Sequence, residues 1–227
     1  AYSYRTNRPE LFYMEPYITY RDYYTAEIGN PDIRPEYIHS YELNYKKNIG
    51  EQVLQSSLFY RSRKDKIERL RVPYEAGVTL DSMANVGNDH ALGMELSGQF
   101  IVNKWWNLNV NGNVYYYKVV NNINSGGKEE TSTNYDITVN NLLRICKNTR
   151  IQLDGNFVGP SVTTQGRSDS FWFVNLAIRQ QWFGSNLQST LSFRDIFNSA
   201  RYKNDITTPN LESVTHIRPK FPVITLS

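Results

Sequence analysis

The sequence has a single cysteine, Cys146, so neither an intramolecular disulfide nor a cysteine-cluster metal site has a second partner. Cys146 reads as a small apolar filler. Histidine is nearly as scarce: His39, His90 and His216 stand far apart, outside any H-E-x-x-H spacing that would set two imidazoles on zinc. Asp81 and Asp89 lack the spacing of a calcium loop. Nucleophile elbows, Walker loops and G-x-G-x-x-G turns leading into a helix are missing as well. No catalytic residue, metal site or cofactor is expected, and the chain reads as not an enzyme. Charge of one sign is also lacking. The 25 basic and 22 acidic residues are spread along the chain without a basic run, so nucleic acid is not an expected partner. No stretch approaches the roughly 20 apolar residues of a spanning helix, and Ala1-Tyr2-Ser3-Tyr4-Arg5 is not built like a signal peptide. Strands that cross a membrane escape that exclusion, because they alternate polar and apolar residues.

What the sequence does have is 17 tyrosines, many asparagines and a clear period of two. Between Trp106 and Tyr117, Trp106, Leu108, Val110, Val114 and Tyr116 alternate with Asn107, Asn109, Asn111, Asn113, Tyr115 and Tyr117. The strand before it places Leu92, Met94, Leu96, Phe100 and Val102 on one face, and Asn103-Lys104-Trp105 is left as a tight hairpin connection. The pattern recurs at Tyr135–Ile145, with Asn141 as an exception on the apolar side, then at Ile151–Phe157 and Trp172–Trp182. It is weaker around Leu187–Phe193 and appears near the front at Tyr41–Tyr45 and Leu54–Tyr60. Short turns near 47–50, 103–105, 147–149 and 183–186 alternate with longer polar stretches near 62–88, 120–133, 160–169 and 196–215.

That spacing predicts an all-β, antiparallel up-and-down meander. Alternation alone does not separate a wall facing lipid from a soluble sandwich facing its own core. Two features favour the membrane: strands of about 10–14 residues, against the usual five or six, and loops short at one end and long at the other. Tyr45, Trp105, Trp106, Trp182 and Phe183 fall beside the short turns, where an interfacial aromatic girdle would sit.

Several motifs carry a family resemblance. The front of the chain reads Asn7-Arg8-Pro9, Met14-Glu15-Pro16-Tyr17, Tyr20-Arg21-Asp22 and Gly29-Asn30-Pro31-Asp32-Ile33-Arg34-Pro35-Glu36, leading into a strand from Tyr37 to Tyr45. Phe59-Tyr60-Arg61 with Asp65-Lys66-Ile67 follows, then Asn85, Gly87, Gly93 and Glu95. In order and spacing these resemble the barrel of TonB-dependent outer-membrane receptors. The resemblance implies part of a transmembrane β-barrel, about nine or ten strands of a larger one, with 1–227 a single C-terminal barrel segment. The family's plug domain and earlier strands are absent from this chain. The last residues, Phe221-Pro222-Val223-Ile224-Thr225-Leu226-Ser227, resemble the family's closing strand without its terminal aromatic residue, which suggests a chain cut a few residues short.

By the same resemblance the parent takes up a scarce ligand with energy from TonB. The implied partners are outer-membrane lipid, TonB through the missing plug, and a small ligand that is a siderophore, a cobalamin-like cofactor, an oligosaccharide or a peptide. Ring stacking and anion pairing single out Tyr23, Tyr24, Tyr74, Tyr115, Tyr117, Arg167 and Tyr202 as candidate ligand contacts. Two other readings stay open: a passive porin or small structural barrel, and a soluble carbohydrate-binding β-sandwich.

Overall fold

The computed structural model describes residues 1–122, 128–208, 210–219 and 223–226. In chain order its strands are β1 (Tyr2–Asn7), β2 (Thr19–Asp22), β3 (Thr25–Ile28), β4 (Glu36–Ile49), β5 (Gln52–Glu75), β6 (Val78–Asn103), β7 (Trp106–Asn121), β8 (Lys128–Arg144), β9 (Thr149–Val158), β10 (Ser161–Val162), β11 (Gly166–Ser168), β12 (Phe171–Trp182), β13 (Leu187–Arg194), β14 (Tyr202–Thr208), β15 (Leu211–Ile217) and β16 (Val223–Leu226). The described residues form no α-helix.

The wall is an antiparallel path in the order β1-β4-β5-β6-β7-β8-β9-β12-β13-β16, with β1 and β16 as its two edges. This is the predicted meander, and among the described residues the sheet is not closed. Register fixes which residues share a face. Tyr41, Tyr60, Leu92 and Tyr116 lie opposite one another on neighbouring strands, and Leu176, Phe193 and Ile224 do the same farther along. That face is apolar and uncovered: Leu43 is 69% exposed and Leu92 59%. The opposite face carries Asn109, Asn111 and Asn113 against Asn140, Thr138 and Asp136, with Asn107 opposite Leu142. A soluble sandwich would bury the apolar face under a second sheet. Here it is left bare, as a wall in hydrocarbon requires.

Asn141, the polar exception on the apolar side, is satisfied locally. Its Oδ1 accepts the Trp106 indole N–H at 3.1 Å, and its amide donates to the Leu153 carbonyl at 3.3 Å. The hairpin connection at Lys104-Trp105 is held by Asn103 Oδ1, which accepts the N–H groups of Trp105 and Trp106 at 3.0 and 2.9 Å. The first short turn lies later than expected, at Gly50-Glu51, because β4 continues through Ile49 and Gly50 supplies the positive φ of +59°.

The long polar stretches are not irregular loops. Residues 62–88 continue β5 and β6 without a break into a hairpin that turns at Ala76-Gly77, giving strands of 24 and 26 residues. Asp81 and Asp89 therefore sit in β6, not in a loop. The 120–133 stretch is shortened by β7 and β8, and its central residues 123–127 lie outside the described ones. The 160–169 and 196–215 stretches supply the separate sheet β10-β11-β14-β15. Beyond the wall, β3 runs parallel to β6, with Thr25 opposite Thr79, and takes the flank that β7 leaves. Of the expected closing strand, Val223–Leu226 pairs with β13, whereas Phe221, Pro222 and Ser227 lie outside the described residues.

Candidate functional site

The polar face of the wall is a carpet of amides and carboxylates. Asn113 donates to Asp136 at 3.3 Å, Asn156 to the Thr138 hydroxyl at 2.9 Å and Gln152 to Asp154 at 2.8 Å. Such side chains present donors and acceptors to whatever fills the interior.

Where the wall meets its long connections, buried charges form a network. Glu36, at 3% exposure, begins β4; its carboxylate accepts the Ile67 N–H at 2.6 Å and the Asn7 amide at 2.7 Å, with Arg63 at 3.4 Å. Asp89, equally buried, accepts the Tyr117 hydroxyl at 2.9 Å, and that hydroxyl accepts from Lys66 at 2.7 Å. Arg63 and Lys66 both stand 3.7 Å from Asp89, and Lys66 is 3.0 Å from Glu68. Removing these ions from water is costly unless each is paired, and the pairing fixes one arrangement of β4, β5, β6 and β7.

The motif residues meet at the same place. Asn85 accepts the Arg34 N–H at 2.8 Å and donates to the carbonyls of Arg34 and Asp65. Asp65 takes a positive φ of 54° where β5 bulges in its ladder with β6. Gly87 has φ +141°, and a Cβ there would collide with the Val120 carbonyl, so only glycine fits. Gly29 is likewise pressed against the Glu15 backbone. The signature is thus a knot at the point where β3 replaces β7 beside β6. The role of Glu36 in it was not readable as more than strand re-entry, because its partners lie about thirty residues away in β1 and β5.

The candidate ligand contacts fall into three places. Tyr115 and Tyr117 lie on the polar face of β7, with Tyr115 6.1 Å from Phe59 and 6.5 Å from Tyr117. Tyr23 and Tyr24 form the β2–β3 turn, which is anchored near Tyr74 through Thr79. Arg167 and Tyr202 belong to the small sheet; Arg167 is opposite Asp205, and the Tyr202 ring lies 4.2 Å from Phe171.

Trp105, Trp106, Trp182 and Phe183 lie beside the short turns, with Trp105 stacked on Trp106 at 6.2 Å, whereas Tyr45 stands four residues in from the end of β4. A second set of rings, a belt not singled out in the sequence, lies farther along the strands. There Tyr2 packs on Tyr41 at 5.0 Å, Tyr41 on Tyr60 at 6.2 Å and Tyr135 on Phe157 at 5.8 Å. His39 and His90 belong to this belt, hydrogen-bonded to the hydroxyls of Tyr2 and Tyr60 at 2.9 and 3.0 Å. Along β7, Trp106 and Tyr116 lie ten residues apart, about 33 Å of strand. At the usual tilt of about 40° that spans roughly 25 Å, the height of a barrel's apolar band.

A family model described as "Outer membrane protein beta-barrel family" matches residues 1–227. No curated protein matches the chain. Three crystal structures of ferric enterobactin receptors align with it at TM-score 0.57, each over 88% of this chain and 32% of its own. They are a mutant from Pseudomonas aeruginosa at 14% identity, a complex with BCV-L6 at 15%, and a mutant from Pseudomonas aeruginosa in complex with enterobactin at 16%. At such identity the likeness is one of fold, and the chain spans about a third of the length of those receptors.

Proposed function

Because the chain belongs to the outer membrane protein beta-barrel family, we propose that it is the C-terminal wall and external crown of an outer-membrane receptor that imports a scarce small ligand with energy from TonB. The observation that carries this reading is the two-faced wall: an apolar face bounded by aromatic belts, and a polar face backed by a buried ionic network. Such a wall separates lipid from an aqueous or protein-filled interior. In this reading a plug domain outside residues 1–227 covers the amide carpet, receives the pull of TonB and lets the ligand pass. The long connections capture the ligand, and the chain's work is transport rather than catalysis. Its receptor-like fold is shared with proteins named for ferric enterobactin, and a siderophore is one ligand class to try.

The test uses the full-length parent in cells offered labelled siderophores, cobalamin, oligosaccharides and peptides. Uptake of at least one class that stops both when the parent is deleted and when TonB is removed supports the proposal. Uptake that survives loss of TonB assigns the parent to passive porins instead.

A further inference from the structure

Beyond the upper belt, the segment between β1 and β4 and the tip of the β5–β6 hairpin expose six rings. Phe12, Tyr17, Tyr20, Tyr23, Tyr24 and Tyr74 all face solvent, and Tyr23 is 93% exposed. Their placement is fixed by the backbone. The Asp22 carboxylate accepts the Tyr24 N–H at 2.8 Å, and the Tyr24 carbonyl accepts both the N–H and the hydroxyl of Thr79, at 2.8 and 3.2 Å. Thr79 lies opposite Pro73, next in sequence to Tyr74. The Glu75 carboxylate is close enough to Tyr20 to raise its hydroxyl pKa, with smaller contributions from burial and from Tyr74. Phe12 and Tyr17 line a shallow cleft beside Thr19 and Ile28. Tyr20, Tyr23, Tyr24 and Tyr74 thus form a platform where the β2–β3 turn is tied to the base of the β5–β6 tip, with Phe12 and Tyr17 at the cleft beside it.

The charges beneath this platform are engaged with one another. Arg21 lies 2.7 Å from Glu27, and Arg69 lies 3.2 Å from Glu27 and 3.6 Å from Asp81. Arg71 binds Asp81 through two hydrogen bonds of 2.6 and 2.7 Å, and Arg34 binds Asp65 at 2.9 Å. A ligand with strong negative charge is held best by guanidinium groups free to pair with it, and here it would meet the carboxylates of Glu75 and Asp22. What the platform offers is ring faces, phenolic hydroxyls and the carboxylates of Glu75 and Asp22.

Building on the receptor reading above, we infer that this platform is the first-contact site for an uncharged, polyhydroxylated ring ligand, an oligosaccharide. The C–H faces of sugar rings pack on tyrosine, and sugar hydroxyls donate to Glu75 and exchange hydrogen bonds with the phenols. Specificity at this site comes from ring stacking, not from charge.

The experiment uses the full-length parent in detergent, titrated by calorimetry with malto-, cello-, xylo- and chito-hexaose and with a ferric tris-catecholate as anionic comparator. The wild type is expected to bind at least one neutral hexaose and not the chelate. The double variants Tyr23→Ala/Tyr24→Ala and Tyr20→Ala/Tyr74→Ala, each checked for unchanged heat-modifiable gel mobility, are expected to weaken that binding about tenfold or more. Failure of every neutral hexaose to bind overturns the inference, as does hexaose binding unchanged in both variants. TonB-dependent uptake of the chelate alongside such failure leaves the receptor reading standing and removes only the sugar platform.

Discussion

At the scale of single residues, Cys146 marks the sidedness of the wall. It lies exposed in the short turn between β8 and β9, on the end that faces the periplasm if the long connections face outward. The Thr149 hydroxyl, then the backbone around Asn148 and Thr149, holds its thiol pKa below the ordinary value, against a smaller opposing effect of burial. Its thiolate is therefore populated at lower pH than that of a free cysteine, and alkylation rises with pH to an earlier plateau. A membrane-impermeant maleimide is expected to label Cys146 of the parent only after the outer membrane is permeabilised, and Thr149→Val is expected to slow labelling severalfold at neutral pH. Labelling in intact cells would invert the assigned orientation. The sequence presented Cys146 as a filler; its neighbours were visible, but the turn geometry that exposes it was not.

At the scale of elements, legibility followed solvent. Where a strand has an apolar face and a polar one, as in β7 and β9, alternation was plain and the strands were found, β9 to within two residues and β7 four residues short of its end at Asn121. Above the upper belt both faces meet polar surroundings, so Lys64 to Glu75 of β5 carries charges on either side and reads as a loop, although its ladder with β6 continues. The bulge at Asp65 also shifts the period. The motif residues were legible as a series, but the convergence of Arg34 and Asp65 on Asn85 was not. Nor was the reach of the β10–β11 hairpin, whose Gln165 sits against β5. Its side chain accepts the Arg71 N–H at 2.9 Å and donates to the Arg71 carbonyl at 3.1 Å, completing a ladder on that edge. Thr164 adds an N–H to Glu68 at 3.2 Å and accepts the Asn121 amide at 3.0 Å. Gln165→Ala in the parent is expected to cost this contact about 1–3 kcal/mol. The readout is faster hydrogen exchange at Arg71 and faster protease cleavage within 159–170, while the melting of the wall itself stays unchanged.

At the scale of the whole molecule, the wall among the described residues has two unpaired edges, β1 and β16, and an apolar face that water does not tolerate. Residues 1–227 expressed alone are expected to self-associate through those edges, or to need detergent, and to lack the heat-modifiable mobility of the full-length parent. A detergent-free monomer by light scattering would contradict this. The parallel pairing of β3 with β6 bears on the order in which the molecule comes together. Thr25 meets Thr79, 54 positions later (79 − 25), on a flank of β6 that exists only once β6 has formed its hairpin with β5. Hairpins close locally and quickly, whereas a parallel contact across an intervening pair of strands waits for them. The β2–β3 segment is therefore among the last parts to settle, and the surface it carries matures after the wall beneath it.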